Sequence, residues 1–202
     1  MADFETRDPT STRFWDERFE KNFTPWDKGD VPGDLQRFVR HSERPLATLI
    51  PGCGNAYEAA FLAQQAWQVM AIDFSPAAVQ SARAAIGEWG KHVVEADFFK
   101  FTPQFDLDLI YERAFFCALP PEMRPAIVAR WAELLPTGGL LAGFVYFNDT
   151  ADASRKGPPF SIHSDDWLVL MAANFELVED RAVEDSIAVF AGKERWQIWK
   201  RR

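Results

Sequence analysis

The segment LATLIPGCGNAYE, residues 46–58, constrains the fold of this chain more than any other stretch. A short apolar run ends at Pro51, which has no N–H to donate to a neighbouring strand. A turn with Gly52 and Gly54 follows, and then a helical pattern begins. About twenty residues later, a second apolar run ends at Asp73, and this interval is typical of sites in which a carboxylate accepts the ribose hydroxyls. We therefore predict that the chain binds a cofactor containing a nucleoside.

Strand-like and helical patterns alternate through most of the chain. Strand-like runs cover 48–50, 68–73, 92–95, 107–112 and 140–146, and helical stretches cover 56–65, 76–89, 121–135 and 164–173. This alternation predicts an α/β fold of Rossmann type, in which a mostly parallel sheet carries helices on both faces and the ligand crevice lies at the carboxyl ends of the strands.

The C-terminal part of the chain departs from this alternation. Three strand-like runs follow one another at 175–181, 188–192 and 195–200. The last two are too close together for a helical crossover, so they are expected to pair antiparallel. We therefore predict that the sheet ends in an antiparallel hairpin. Residues 1–202 are expected to form a single domain.

An aromatic-rich segment, residues 11–41, precedes this fold. Helical patterns cover 13–21 and 34–40, with a loop between them, and the segment includes Trp15 and Trp26. Two roles fit it. The helices could simply pack on the domain, or the segment could act as a lid that closes over the ligands and keeps water out.

Composition limits the possible partners. The chain has 22 basic and 30 acidic residues, a net charge of −8, which disfavours binding to a nucleic-acid backbone. The apolar runs are all shorter than the ~20 residues of a membrane span. The N-terminus carries no pattern of an export signal. Cys53 and Cys117 are expected to be free buried thiols, and no metal-ligand spacing occurs. We therefore expect a cytoplasmic protein, favoured as a monomer, that acts on a small molecule.

Two nucleoside cofactors compete for the glycine turn, a nicotinamide dinucleotide and S-adenosylmethionine. A dinucleotide site favours a third glycine, but Tyr57 and Glu58 occupy that position here. An acidic side chain at the start of the helix would repel a pyrophosphate, but not a sulfonium or an ammonium group. After the third strand, Asp97 suits the exocyclic amine of adenine and Phe98 its ring face. These features favour S-adenosylmethionine.

Five segments together resemble one family of class I methyltransferases: FTPWDKG, PGCGNAYE, IYERAFFCALPPEMRP, LLPTGGLL and GPPFSI. They are similar to the thiopurine S-methyltransferase family, most of all to its thiol/halide methyltransferase branch, over about residues 14–199. The resemblance implies a seven-stranded class I fold and S-adenosylmethionine as methyl donor. It also implies methylation of a soft nucleophile, namely a thiol, a thiopurine-like thiol, or a halide or thiocyanate anion.

The same resemblance implies roles for particular residues. The residues expected at the cofactor are Trp15, Trp26, Pro51, Gly52, Cys53, Gly54, Asp73, Phe74, Ser75, Asp97, Phe98 and Arg113. Those expected at the acceptor are Phe14, Trp26, Arg113, Phe115, Phe116 and Phe160. Arg113 and Phe160 match the thiopurine-type pattern, whereas plant halide/thiol members have tyrosine at both positions. The thiol and halide acceptors therefore both remain open.

Arg113 and Glu112 are the residues expected to be catalytic. Arg113 could lower the pKa of a thiol or hold an anionic acceptor through charge-assisted hydrogen bonds. Glu112 could orient Arg113 or accept a proton, or it could only fix the strand end through an ion pair. A transfer to oxygen or nitrogen would need a positioned base, for which Glu112, Asp149 or Asp152 are available. A non-catalytic protein that binds the cofactor is the remaining alternative.

Overall fold

A computed structural model describes residues 4–150 and 157–202 of the chain. The strands are β1 (Thr48–Pro51), β2 (Val69–Asp73), β3 (Val93–Glu95), β4 (Leu109–Glu112), β5 (Leu140–Tyr146), β6 (Phe175–Ala182) and β7 (Glu194–Arg201). The α-helices are α1 (Thr12–Glu20), α2 (Gly33–His41), α3 (Tyr57–Gln64), α4 (Pro76–Ile86), α5 (Arg124–Leu134) and α6 (Ser164–Ala172).

The strands of the described residues form one seven-stranded sheet in the order β3-β2-β1-β4-β5-β7-β6. Strands β1 to β5 pair in parallel, and β7 lies antiparallel between β5 and β6. The predicted parallel sheet with an antiparallel C-terminal hairpin is therefore confirmed. The order reverses between β1 and β4, which is the point where open α/β sheets leave a crevice for a ligand.

The strand predicted at 188–192 is wrong, because this stretch lies in the loop between the two strands of the hairpin. Successive turns are closed by hydrogen bonds from the Phe190 N–H to Ile187 O (3.0 Å) and from the Lys193 N–H to Phe190 O (3.0 Å). Gly192 has a φ of +74°, which breaks an extended run. The hairpin consequently joins β6 directly to β7.

Apolar side chains fill both faces of the sheet. On one face, α3 and α4 pack with residues such as Leu62 and Val79, and on the other α5 and α6 pack with Trp131 and Trp167. Helix α4 starts as predicted, because the Ser75 hydroxyl accepts a hydrogen bond from the Ala78 N–H at 3.1 Å. Within the described ranges, none of the helices combines the length and the apolar character needed to cross a bilayer.

Candidate active site

A cavity of about 490 Å³ lies above the carboxyl ends of β1, β2 and β4, where the sheet order reverses. Its floor is built by the residues that follow these strands, and its roof by the N-terminal segment and the 183–193 loop. The predicted site residues that line it are Phe14, Trp15, Trp26, Gly52, Cys53, Gly54, Asp73, Phe74, Asp97, Phe98, Arg113 and Phe115. Five others do not line it: Pro51, Ser75, Glu112, Phe116 and Phe160.

The glycine turn after β1 brings the backbone to the cavity surface. Gly52 and Gly54 have φ values of +58° and +51°, which L-residues rarely adopt. A Cβ at Gly52 would also lie 2.7 Å from the Phe115 ring. The Cys53 N–H donates to the Ile72 carbonyl at 3.0 Å, so the turn is fastened to β2. Burial raises the pKa of the Cys53 thiol well above its usual range, as expected of a structural cysteine.

Asp73, the last residue of β2, lies beside this turn. Its Oδ2 accepts a hydrogen bond from the Gly54 N–H at 3.2 Å, and its Oδ1 accepts one from the Ser75 N–H at 3.0 Å. Burial raises the pKa of this carboxyl to about 6, although the backbone donors oppose the rise. A carboxylate has about four acceptor positions. The carboxylate therefore keeps acceptor capacity for the hydroxyls of a ribose, so the site fits the nucleoside of S-adenosylmethionine.

Aromatic and acidic residues after β3 form the adjoining wall. Phe98 is buried and packs edge-on against Phe115, with ring centroids 5.0 Å apart. The Asp97 Oδ1 accepts the Phe99 N–H at 2.9 Å, and Lys100 pairs with the other oxygen at 3.1 Å. Phe74, which directly follows β2, borders the same space. A flat ring with an amine at its edge, such as adenine, matches these surroundings.

An aromatic cluster from the N-terminal segment covers the other end. The Trp15 and Trp26 rings lie edge-on at 5.4 Å, and Phe14 and Phe19 extend the cluster at 4.9 Å and 6.2 Å. The Trp15 Nε1–H donates to the Pro9 carbonyl at 2.8 Å, so its orientation is fixed. Aromatic faces attract a cation through their quadrupole. This roof therefore suits a sulfonium.

Polar contacts fasten the N-terminal segment to the sheet domain. The Asp16 carboxylate accepts hydrogen bonds from the Ser75 hydroxyl (2.6 Å) and the Ala77 N–H (3.2 Å), so it caps the N-terminus of α4. The Asn55 side-chain amide donates to Asp27 in the loop after α1, and Asn55 accepts from Ser81 at 2.6 Å. These residues have no recognisable pattern in the sequence, because each pair is far apart along the chain.

Arg113 directly follows β4 and lines the floor of the cavity. Its guanidinium lies over the Phe144 ring, 4.3 Å from the centroid. Burial opposes the charge, but Tyr111, Glu194 and Glu58 around it raise the pKa of Arg113 above its ordinary value. No ion pair within 4.0 Å joins it to another residue of the described chain. The charged guanidinium of this half-buried residue can therefore donate hydrogen bonds to an anion in the cavity.

Comparison with known proteins shows which family has this sequence. The sequence matches the model of the thiopurine S-methyltransferase (TPMT) family over residues 10–202. The chain belongs to the thiopurine S-methyltransferase family. It is 33% identical to thiocyanate methyltransferase 1 of Brassica oleracea over 193 residues, which are 93% of this chain and 84% of the relative. It is 28% identical to thiopurine S-methyltransferase of Pseudomonas putida (strain GB-1), covering 74% and 77% of the two chains.

Several solved structures share the fold of this protein. A 1,6-didemethyltoxoflavin-N1-methyltransferase of Burkholderia thailandensis with bound S-adenosylhomocysteine superposes with a TM-score of 0.72, at 16% identity, over 99% of this chain and 93% of that one. The N-methyltransferase NodS of Bradyrhizobium japonicum WM9 superposes with a TM-score of 0.66, at 16% identity, over 92% and 97%. The predicted class I fold is confirmed. Family membership confirms that the chain is an S-methyltransferase that uses S-adenosylmethionine.

Glu112, the last residue of β4, does not line the main cavity. It borders a small separate pocket with residues such as Phe116 and Trp167. There its Oε1 accepts the Phe116 N–H at 2.8 Å. The geometry therefore favours the alternative in which Glu112 fixes the end of the strand. It does so through a backbone hydrogen bond, because no ion pair with Arg113 occurs among the described residues.

Glu112 has a consequence for stability. Burial raises its pKa to about 7, so the folded protein retains a proton that the unfolded chain loses near pH 4.5. The contribution of Glu112 to the free energy of unfolding is therefore fully present below pH 4.5 and is lost as the pH rises towards 7. Glu112→Gln keeps an acceptor for Phe116 and should stabilise the protein by about 2–3 kcal/mol at pH 8, with little change at pH 4.5. Thermal unfolding across that range measures the difference.

The control for this prediction is Glu122→Gln, which alters an exposed carboxylate near the start of α5. It should leave the pH dependence of unfolding unchanged. Equal stabilisation by Glu112→Gln at pH 4.5 and pH 8 would contradict a proton held on Glu112.

Phe116 and Phe160 also lie outside the cavity, contrary to the expectation from the sequence. Phe116 is in the core, with its ring 5.0 Å from that of Trp167. Phe160 donates its N–H to the Cys117 carbonyl at 2.6 Å, and its neighbours Pro158 and Pro159 line the cavity in its place. Of the five residues outside the cavity, Ser75 still contributes indirectly, because its hydroxyl binds Asp16.

Several lining residues were not predicted from the sequence. They include Glu58 and Tyr111, which face Arg113, and Val189 and Phe190 in the loop before β7. Glu58 could have been found, because an acidic residue in the first helical turn after a glycine turn lies next to the crevice. Val189 and Phe190 could not have been found, because no sequence pattern connects the loop before β7 with the end of β4.

Proposed function

We propose that this enzyme transfers the methyl group of S-adenosylmethionine to the sulfur of a small thiol or thiol-like anion held at Arg113. The single observation that carries the proposal is the guanidinium of Arg113, which lines the cavity and has no ion pair within 4.0 Å among the described residues. The nearby carboxylates of Glu58 and Glu194 keep it charged without pairing with it at that distance, so its donors can hold an anion.

The lining of the cavity suits a soft nucleophile. Besides its charged residues, it includes the apolar and aromatic side chains of Phe115, Leu119, Met123, Val189 and Phe190. A thiolate tolerates such surroundings better than a strongly hydrated oxyanion. A thiol pKa of about 8.5 provides some thiolate near neutrality, and Arg113 would increase this fraction.

Transfer to oxygen or nitrogen is less well supported. Neither Glu112 nor Asp149 lines the cavity, and Asp149 instead accepts the Ser164 N–H at 2.7 Å. Asp152 lies outside the described residues. The three histidines do not line the cavity either. The carboxylates that do line the cavity, such as Glu58, are weak bases for an alcohol whose pKa lies far above 7.

The residues of the chain would divide the work of binding. Asp73 would hold the ribose, Asp97 and Phe98 the adenine, and the aromatic roof the sulfonium, which supplies a methyl group ready for in-line displacement. Arg113 would align the acceptor against that methyl group, since orientation and exclusion of water are the main contributions an enzyme can make here.

The relatives support a sulfur acceptor. One group is named for thiocyanate and the other for thiopurines, and both names denote sulfur-containing acceptors. Acceptors of both kinds can carry negative charge, which matches the charge of Arg113. We also propose a cytoplasmic location, on the ground that Cys53 and Cys117 are both free thiols.

An acceptor screen tests the proposed function. Purified protein and methyl-labelled donor are incubated with hydrosulfide, small thiols, aromatic thiols, thiocyanate and halides, and with phenols and amines of similar shape as controls. Labelled thioethers or methyl thiocyanate are expected. Methylation of the phenols or amines alone would contradict the proposal.

We also propose that residues 11–41 form a lid on the single domain. Trp26→Ala removes the ring that joins Trp15 to Phe19, so trypsin should cleave between Arg13 and Lys28 several times faster, even with S-adenosylhomocysteine bound. Mass spectrometry of timed digests locates the cuts. The matched control is Trp89→Ala, another half-buried tryptophan, which lies near His92. Unchanged cleavage in Trp26→Ala would argue against the lid.

A further inference from the structure

We propose that Glu58 accepts the proton of a neutral thiol acceptor as the methyl group is transferred. This inference rests on the thiol-methylating function proposed above. Glu58 is not among the site residues expected from the sequence.

The position of Glu58 places its carboxylate in the reaction space. The residue lies in the first turn of α3, directly after the glycine turn, and its side chain lines the cavity. Arg113 and Tyr111 of the neighbouring strand β4 face it, as does Asp27 from the loop after α1. Glu58 and Arg113 thus border the same cavity, one able to take a proton and the other able to hold the resulting anion.

Other carboxylates near the site already have structural partners. Asp73 accepts two backbone N–H groups, Glu112 accepts the Phe116 N–H, and Asp16 caps α4. Glu194 also faces Arg113, but its Oε2 accepts the Ser186 hydroxyl at 2.7 Å and it does not line the cavity. Glu58 is therefore the carboxylate beside Arg113 that opens into the acceptor space.

The surroundings adjust the basicity of Glu58 towards that of a thiol. Burial raises the pKa of this carboxyl, and Asp27 acts in the same direction, whereas Arg113, the backbone N–H of Glu58 itself and the Tyr111 hydroxyl oppose the rise. Proton transfer is efficient when the pKa values of donor and acceptor are close. A carboxyl with a raised pKa approaches a thiol of pKa about 8.5, but remains far from an alcohol.

The proposed step balances. The proton of the S–H group passes to the Glu58 carboxylate, and a lone pair of the acceptor sulfur forms the bond to the methyl carbon. The bond from that carbon to the sulfonium breaks, and its electron pair stays on the donor sulfur. Glu58 returns the proton to solvent when the thioether leaves. Thiocyanate and iodide carry no such proton and do not need Glu58.

This difference between acceptors provides the test. Glu58→Gln should lower kcat/KM for a small neutral thiol at pH 7 by about 10- to 30-fold, because only the few per cent of thiol that is already ionised can react. It should change kcat/KM for thiocyanate or iodide by less than about twofold, well below the usual range of acid–base effects. The thiol activity should recover as the pH is raised from 7 to 9, where the acceptor ionises unaided.

Glu194→Gln is the matched control. It removes a second carboxylate that faces Arg113, but one without access to the cavity. Glu58 could instead act only through its electrostatic effect on Arg113. In that case Glu58→Gln and Glu194→Gln will each change kcat/KM for thiols and for inorganic anions by similar factors, and the inference fails. Glu58→Asp keeps a carboxylate and should retain more of the thiol activity than Glu58→Gln. Loss of thiol activity equal to that of Glu58→Gln would also count against proton transfer.

Binding of S-adenosylhomocysteine by calorimetry supplies a readout apart from turnover. The affinity of Glu58→Gln should remain within about threefold of the unaltered protein, and a much larger loss would assign Glu58 to the cofactor instead. The two proposals fail differently. If the unaltered protein methylates none of the sulfur or halide acceptors, the proposed function is wrong. If it methylates thiols and thiocyanate, but Glu58→Gln treats the two classes equally, only the role of Glu58 is wrong.

Discussion

Replacing Asp73 with alanine is expected to weaken the binding of S-adenosylhomocysteine by at least ~100-fold, since two hydrogen bonds from hydroxyls to a carboxylate contribute about 1.5–3 kcal/mol each. The carboxylate would be lost from the one position where the Gly54 and Ser75 N–H groups hold it against the cavity. Isothermal titration calorimetry measures the change directly.

The matched control for Asp73 is Glu95→Ala. Glu95 pairs with Asp73 in the register of β2 and β3, but its side chain is exposed and does not line the cavity. Its removal should leave the affinity within about twofold, as is usual for surface substitutions. Unchanged affinity in Asp73→Ala would remove the ribose role from this residue.

Arg113→Ala is expected to lower kcat/KM for an anionic acceptor by about 100-fold, because charge-assisted hydrogen bonds to a buried anion contribute about 1.5–3 kcal/mol each. The affinity for S-adenosylhomocysteine should fall by less than about threefold, because Asp73 and the aromatic roof remain. Steady-state kinetics with thiocyanate and an aromatic thiol, combined with calorimetry, separate the two effects.

Arg113→Lys provides the graded comparison. Lysine keeps the charge but lacks the planar fork of donors and its packing over Phe144, so it should recover only part of the loss. Equal losses of acceptor turnover and cofactor affinity in Arg113→Ala would contradict a role at the acceptor and place the arginine at the cofactor.

Local spacing was sufficient to predict that the glycine turn, Asp73 and the Asp97–Phe98 pair would line one cavity. Each lies at or just after the end of a strand, and the carboxyl ends of parallel strands meet at one edge of the sheet. Strand alternation could also have separated Glu112 from the cavity. Successive side chains of a strand point to opposite faces, and Tyr111, its neighbour in β4, lines the cavity whereas Glu112 does not.

The placement of the N-terminal segment could not be predicted from neighbouring residues in the sequence. Its aromatic composition indicated that it could cover the ligands. The segment is held in place by two hydrogen-bonded pairs, Asp16 with Ser75 and Asp27 with Asn55. These partners have no periodic relation in the sequence. Their contact depends on how α1 packs against α4, which is a property of the assembled chain.

The sequence by itself determined the alternating elements, the cofactor class and the position of Asp73, because each of these depends on neighbours within one strand–turn–helix unit. Only the tertiary structure decided which face each side chain of β4 presents, what covers the cavity, and that Glu58 faces Arg113. Such contacts join residues that are distant along the chain, and they are fixed when the helices and the C-terminal hairpin bury their apolar faces against the sheet.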